Sequence, residues 1–177
     1  MQRGVGLRSE LPGLEEIGRY FPINQRTKPI LDDIINKYKA EGQVKKLDQP
    51  LDQDSKETLV ALLATHKEPE LLQKCLEAGL NPNSRDKFGR TPLMLACTYG
   101  CVECVRALLK AGANINDKNK SDNTALHIAA INDYPDIVEE LTKSKADLLI
   151  TNFNKHTAIK DAHEYGRVEA YKKLIDP

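Results

Sequence analysis

The sequence has no surplus of either charge, since 26 lysines and arginines meet 26 aspartates and glutamates. That balance excludes a global field drawing the chain to nucleic acid or an anionic membrane, so any electrostatic preference must be local. No run approaches the roughly 18 apolar residues a membrane span requires. The amino-terminal MQRGVGLRSELPGLEEIGRYF has arginines but no unbroken apolar stretch, and Glu10, Glu15 and Glu16 argue against a transit peptide. Neither GxGxxG nor GxxxxGK followed by Ser or Thr occurs, so a phosphate-binding loop is not expected. Cysteines number only four, and without a secretory signal they are expected as reduced thiols in the cytoplasm or nucleus. With six tyrosines and three phenylalanines, aromatics are scarce enough that their clustering carries information.

What the chain does have is a repeat. A shift of 33 residues superimposes Thr58, Thr91, Thr124 and Thr157, and behind them Val60, Leu93, Leu126 and Ile159. The same shift aligns Leu72, Val105, Val138 and Tyr171, and Gly79 with Gly112. Four copies share one frame without an insertion. Within a copy, a Thr hydroxyl can cap a helix, and Pro92 suits a first helical position because that amide has no partner to lose. Leu93, Leu95 and Ala96 then face inward, a turn at Tyr99 and Gly100 ends the helix, and Val102, Val105, Leu108 and Leu109 mark a second one. Gly112 stops it by supplying a left-handed backbone conformation. Lys145 stands where Gly79 and Gly112 precede it, so a strained left-handed lysine is expected there. The links GLNPNSRDKFGR and GANINDKNKSDN are rich in Asn, Asp and Gly and suit hairpin turns projecting from each helix pair.

The 33-residue period, with TPLMLA at 91–96 and TALHIA at 124–129, resembles the ankyrin repeat over roughly two thirds of the chain. The resemblance implies an all-α repeat solenoid of helix-turn-helix pairs with projecting β-hairpin-like loops, stacked because no single copy can bury its apolar face alone. It also implies a non-catalytic module or adaptor that binds another protein through the fingers and inner helices, with no cofactor. A regulatory subunit of an enzyme, or a structural subunit of a larger assembly, is a further alternative.

The ends depart from the pattern. The first copy carries Lys56 where the second has Gly89, and Leu59 where it has Pro92; the fourth, from Asn152, ends at Pro177 and has Lys160 where the third has His127. Before the array, KPILDDIINKYKAEG sets Ile30, Leu31, Ile34, Ile35 and Tyr38 on one helical stripe. This divides the chain into a loose segment at 1–28, a helical arm or cap at 29–53 and an ankyrin repeat domain at 54–177. The stripe either covers the first repeat or is a free partner-binding helix.

Cys101 and Cys104 have metal-ligand spacing, and with Cys97 they raise a rival reading as a thiol redox or zinc-binding protein. Aligning the copies weakens it. Cys104 matches Leu71, Ile137 and Ala170, an inward apolar site, whereas Cys101 matches Glu68, Tyr134 and Arg167 and is expected on the surface. No second CxxC or HxxxH completes a tetrahedral set, so no metal site is expected. The resemblance gives His127 a structural role, tying neighbouring loops by hydrogen bonds. No serine or cysteine pairs with His66, His156 or His163 as a nucleophile would require, and no catalytic residue is assigned.

In the ankyrin register, outward positions in the second copy are Lys87, Phe88, Arg90, Thr98 and Tyr99. The third copy contributes Lys120, Ser121, Asn123, Ile131 and Asn132, and the fourth Phe153, Asn154, His156, Glu164 and Tyr165. From these the expected partner-binding set is Lys87, Phe88, Arg90, Tyr99, Lys120, Asn123, Ile131, Asn132, Phe153, His156 and Tyr165. The first finger has Asp52, Asp54 and Glu57, while later ones carry Arg85, Lys87, Arg90, Lys118, Lys120 and Lys155. The expected partner is a protein, through an acidic or mixed-charge segment; nucleic acid, a membrane or a small-molecule substrate is not expected.

Overall fold

The computed structural model describes residues 23, 25, 27–51 and 54–176. Among them nine α-helices and no strand occur: α1 (Thr27–Ala40), α2 (Leu59–Thr65), α3 (Pro69–Glu77), α4 (Pro92–Tyr99), α5 (Val102–Lys110), α6 (Ala125–Ile131), α7 (Pro135–Lys143), α8 (Ala158–Glu164) and α9 (Val168–Ile175). A 3-10 turn at Val44–Asp48 follows α1. Most of the segment expected to be loose, 1–28, lies outside the described residues. The arm helix begins at Thr27, two residues before the expected boundary.

Each repeat starts in the same way. Thr58, Thr91, Thr124 and Thr157 hold extended backbone conformations, and their side chains accept the amides of Ala61, Met94, His127 and Lys160. The helices they cap, α2, α4, α6 and α8, stack as an inner row, while α3, α5, α7 and α9 stack as an outer row. One core runs through the stack, from Leu31 and Leu63 through Leu95 and Leu108 to Leu126, Ile137 and Leu174. Burying each such leucine or isoleucine contributes about 1.5–3 kcal/mol, so stability comes from neighbours stacking rather than from helices of only seven to nine residues.

The turns repeat as faithfully as the helices. Positive φ recurs at Lys56, Gly89, Asp122 and Lys155, at Lys67, Gly100, Asp133 and Gly166, and at Gly79, Gly112 and Lys145. Lys145 has φ 65°, the left-handed conformation expected from its alignment with two glycines.

The arm is spent on the core. Helix α1 packs against α3 at the head of the outer row, burying Leu31, Ile34, Ile35 and Tyr38, and Lys28–Glu68 and Lys74–Asp32 ion pairs flank the contact. Ile30, expected on the same stripe, is 46% exposed instead, because it falls one residue off the face that meets α3.

Candidate partner-binding surface

The projecting fingers are hairpin turns, each closed by a backbone hydrogen bond, from the Asp86 amide to the Arg90 carbonyl, Asn119 to Asn123 and Asn152 to His156, and by side chains, with no strand among the described residues. In the second repeat Asp86 accepts the amides of Phe88 and Arg90 through Oδ1, and the Arg90 Nε at 2.7 Å through Oδ2. Asn119 does the same for the amides of Ser121 and Asn123, and Asn152 for those of Asn154 and His156. A short polar side chain that bonds its own backbone two residues on is what makes such a turn. These three residues position the surface, yet the outward register passed over them; their signal was the recurrence of Asp or Asn at the 33-residue interval.

Successive fingers are joined in a ladder. Lys87 donates its amide to the Ser55 carbonyl, Lys120 to that of Phe88, and Phe153 to that of Ser121. Side chains add cross-repeat ties: Asn83 accepts from the Asn114 amide, Asn116 from the Asp147 amide, and Arg85 pairs with Asp117.

His127 is one of these ties. Its Nδ1 accepts the Thr124 amide, which leaves Nε2 as the protonated nitrogen facing the His156 carbonyl at 3.0 Å. Burial holds its pKa below the ordinary histidine value, keeping it neutral. The loop-tying role implied by the resemblance is therefore present in the geometry.

The expected partner-binding residues fall into two groups. Phe88, Tyr99, Phe153 and Tyr165 are 52%, 40%, 76% and 56% exposed. Lys87 Nζ and Arg90 Cζ lie 5.2 and 5.0 Å from the Phe88 ring centroid, within cation–π range. Lys120 is exposed and Ile131 half-buried. The other three are engaged within the chain: Asn123 accepts from the Asn152 amide side chain, Asn132 donates to the Ile128 carbonyl, and His156 Nδ1 lies 3.0 Å from the buried Asp161 and 3.3 Å from Glu164.

The cysteines require two corrections. Cys101 is only 4% exposed, not on the surface, because as the N-cap of α5 it is folded under the helix start, its Sγ accepting the Cys104 amide. It also forms a disulfide with Cys104, their Cα atoms 5.3 Å apart, so these two are not the reduced thiols expected. Cys75 and Cys97 are free and buried; burial pushes the Cys75 thiol up to about 12 and that of Cys97 higher still, which leaves both unreactive. Among the described residues no three His, Cys, Asp or Glu side chains gather as metal ligands. No described helix is long and apolar enough to cross a membrane. Two open hollows of about 430 and 420 Å³ lie along the outer helices, lined by mixed side chains around Arg106 and Lys110.

Comparison with family models matches residues 59–152 to ankyrin repeats in three copies. The chain belongs to the ankyrin repeat family. Ankyrin repeats generally mediate protein–protein interaction and are typically non-catalytic. The match ends at Asn152, while α8 and α9 continue the same two rows of this ankyrin array with the same Thr cap. No curated protein matches the chain.

Proposed function

We propose that this ankyrin repeat protein is a non-catalytic adaptor that binds a partner protein across the fingers and inner helices of its second to fourth repeats. The observation that carries the reading is the recurrence of exposed aromatics at finger tips and at the ends of inner helices, Phe88 with Tyr99 and Phe153 with Tyr165. Aromatics and arginine are the usual anchors of interfaces, and Arg90 is held against Phe88 by Asp86. The ladder between fingers makes this surface rigid before binding, which lowers the entropy lost on association. Lys87, Lys120, Ile131 and the backbone set by Asn123, Asn132 and His156 complete the surface. Phe88→Ala or Tyr99→Ala is expected to weaken binding to a partner captured by the intact chain by at least about 1 kcal/mol, with Arg90→Glu weakening it further and circular dichroism native in all three. Full affinity in both alanine variants, with binding abolished by Ile30→Glu on the arm, would place the interface elsewhere.

A second reading has one observation in its favour, the Cys101–Cys104 disulfide, which a thiol redox protein would use. The burial of both sulfurs counts against it, since exchange requires an attacking thiolate to reach one of them. Reduction that leaves fold and partner affinity unchanged is the result expected of the adaptor.

A further inference from the structure

The charges on the later fingers are unevenly spent. Asp86 is paired with Arg90, Asp117 with Arg85 and Asp122 with Lys118. The remaining cations, Lys87, Lys120 and Lys155, are exposed and make no ion pair among the described residues. Of the inner helices that follow these fingers, α4 and α6 contain no Asp, Glu, Lys or Arg, so nothing in them offsets Lys87 and Lys120, whereas α8 beside Lys155 carries Lys160 together with Asp161 and Glu164, both of which face His156.

The spacing of the row follows from the stack. One backbone hydrogen bond joins each finger to the next, from the Lys120 amide to the Phe88 carbonyl and from the Phe153 amide to that of Ser121. The inner helices that carry consecutive fingers pack about 8–10 Å apart, which separates equivalent lysines by about the same distance. An extended polyproline-type chain has three residues per turn and rises roughly 3.1 Å per residue, so every third side chain returns to the same side after about 9.3 Å. The two periods match.

Building on the adaptor reading above, we infer that the partner presents an extended acidic segment with a carboxylate at every third residue. Lys87, Lys120 and Lys155 receive successive carboxylates, and Phe88 and Phe153 give the segment's intervening residues an aromatic floor. Lys155 stands two positions along its finger from the place equivalent to Lys87 and Lys120, which Phe153 occupies; a four-carbon stem spans that offset. A single-stranded nucleic acid fits less well, because three isolated cations and a chain without net charge do not form the dense basic groove that such binding uses.

Fluorescence anisotropy with the intact chain tests this using labelled peptides of identical composition, one with Glu-Pro-Ala repeated and one with its glutamates gathered at one end. The repeated peptide is expected to bind about tenfold tighter than the gathered one, and to weaken as salt is raised. Lys87→Glu with Lys120→Glu is expected to weaken it at least about tenfold, and Lys87→Arg with Lys120→Arg to retain it. Equal binding of the two peptides, no binding of either, no effect of the charge reversal, or tighter binding of an oligothymidylate overturns the inference. If it is overturned while Phe88→Ala and Tyr99→Ala still weaken a captured protein partner, the adaptor reading stands and only the acidic chemistry falls. If the peptide binds as expected but those alanine variants leave every partner's affinity unchanged, the anchors of the adaptor reading are the part that fails.

Discussion

Lys145 shows how one residue can carry a cost that its alignment discloses. It takes φ 65° where Gly79 and Gly112 take 96° and 83°, and its side chain is exposed. A Cβ in this region is crowded by the following carbonyl, an effect of about 1–2 kcal/mol that the greater freedom of glycine in the unfolded chain partly cancels. Lys145→Gly is therefore expected to be neutral or stabilising by up to about 1 kcal/mol in urea unfolding. A fall in the midpoint would show that the lysine side chain supports the end of α7. His127 makes a second residue-level case. Its folded pKa lies below the ordinary value of 6.5 because it is buried, so as the pH falls the unfolded chain takes up the proton first. The stability it contributes is complete above about pH 6.5 and declines as the pH drops from there toward the lower folded value. Urea midpoints measured from neutral to mildly acidic pH should show this decline, and His127→Gln should flatten it.

At the scale of elements, the joints between helices are tighter than the helices themselves. Gly100 ends α4 with φ 71°, and a Cβ built on it would lie 2.8 Å from the ring of Tyr134 in the next repeat. Backbone strain and the clash act together, so Gly100→Ala is expected to cost about 2–4 kcal/mol, read as a lower thermal midpoint. Tyr134→Leu in the same background should recover part of the loss by removing the ring. Outer helices are joined differently, by ion pairs such as Arg106–Glu140 and by Glu139, which bridges Lys143 and Lys173 and whose carboxyl those two lysines hold at about 2. Such exposed pairs set register between α5, α7 and α9 more than they add stability.

Among the described residues the helices form a line of nearest-neighbour contacts, each repeat packing mainly on those beside it. Helix α1 therefore matters to the first repeat and not to the last. Deleting residues 1–43 would expose the apolar side of α3 that Leu31, Ile34, Ile35 and Tyr38 cover. Amides of α2 and α3 should lose hydrogen-exchange protection, while those of α6 and α7 keep theirs. Uniform loss across the array would show that the stack unfolds as one unit.

The repeat, its helix pairs, the capping threonines and the left-handed turn at Gly79, Gly112 and Lys145 were legible in the sequence, because each depends on local geometry that recurs at the 33-residue interval; the left-handed residues at Lys56, Asp122 and Lys155 and at Lys67 and Asp133 were not, because no glycine marks them. The finger chemistry at Asp86, Asn119 and Asn152 was present in the same interval but silent, since only the folded turn shows which amides each side chain accepts. What the tertiary structure decided is where long-range packing sets the outcome. It folded Cys101 beneath the start of α5 beside Cys104, sent Ile30 outward while its neighbours on the stripe met α3, and engaged Asn123, Asn132 and His156 within the chain. Periodicity names the side of a helix that faces inward; only the packed neighbour determines how far that side extends and which polar groups it has already taken.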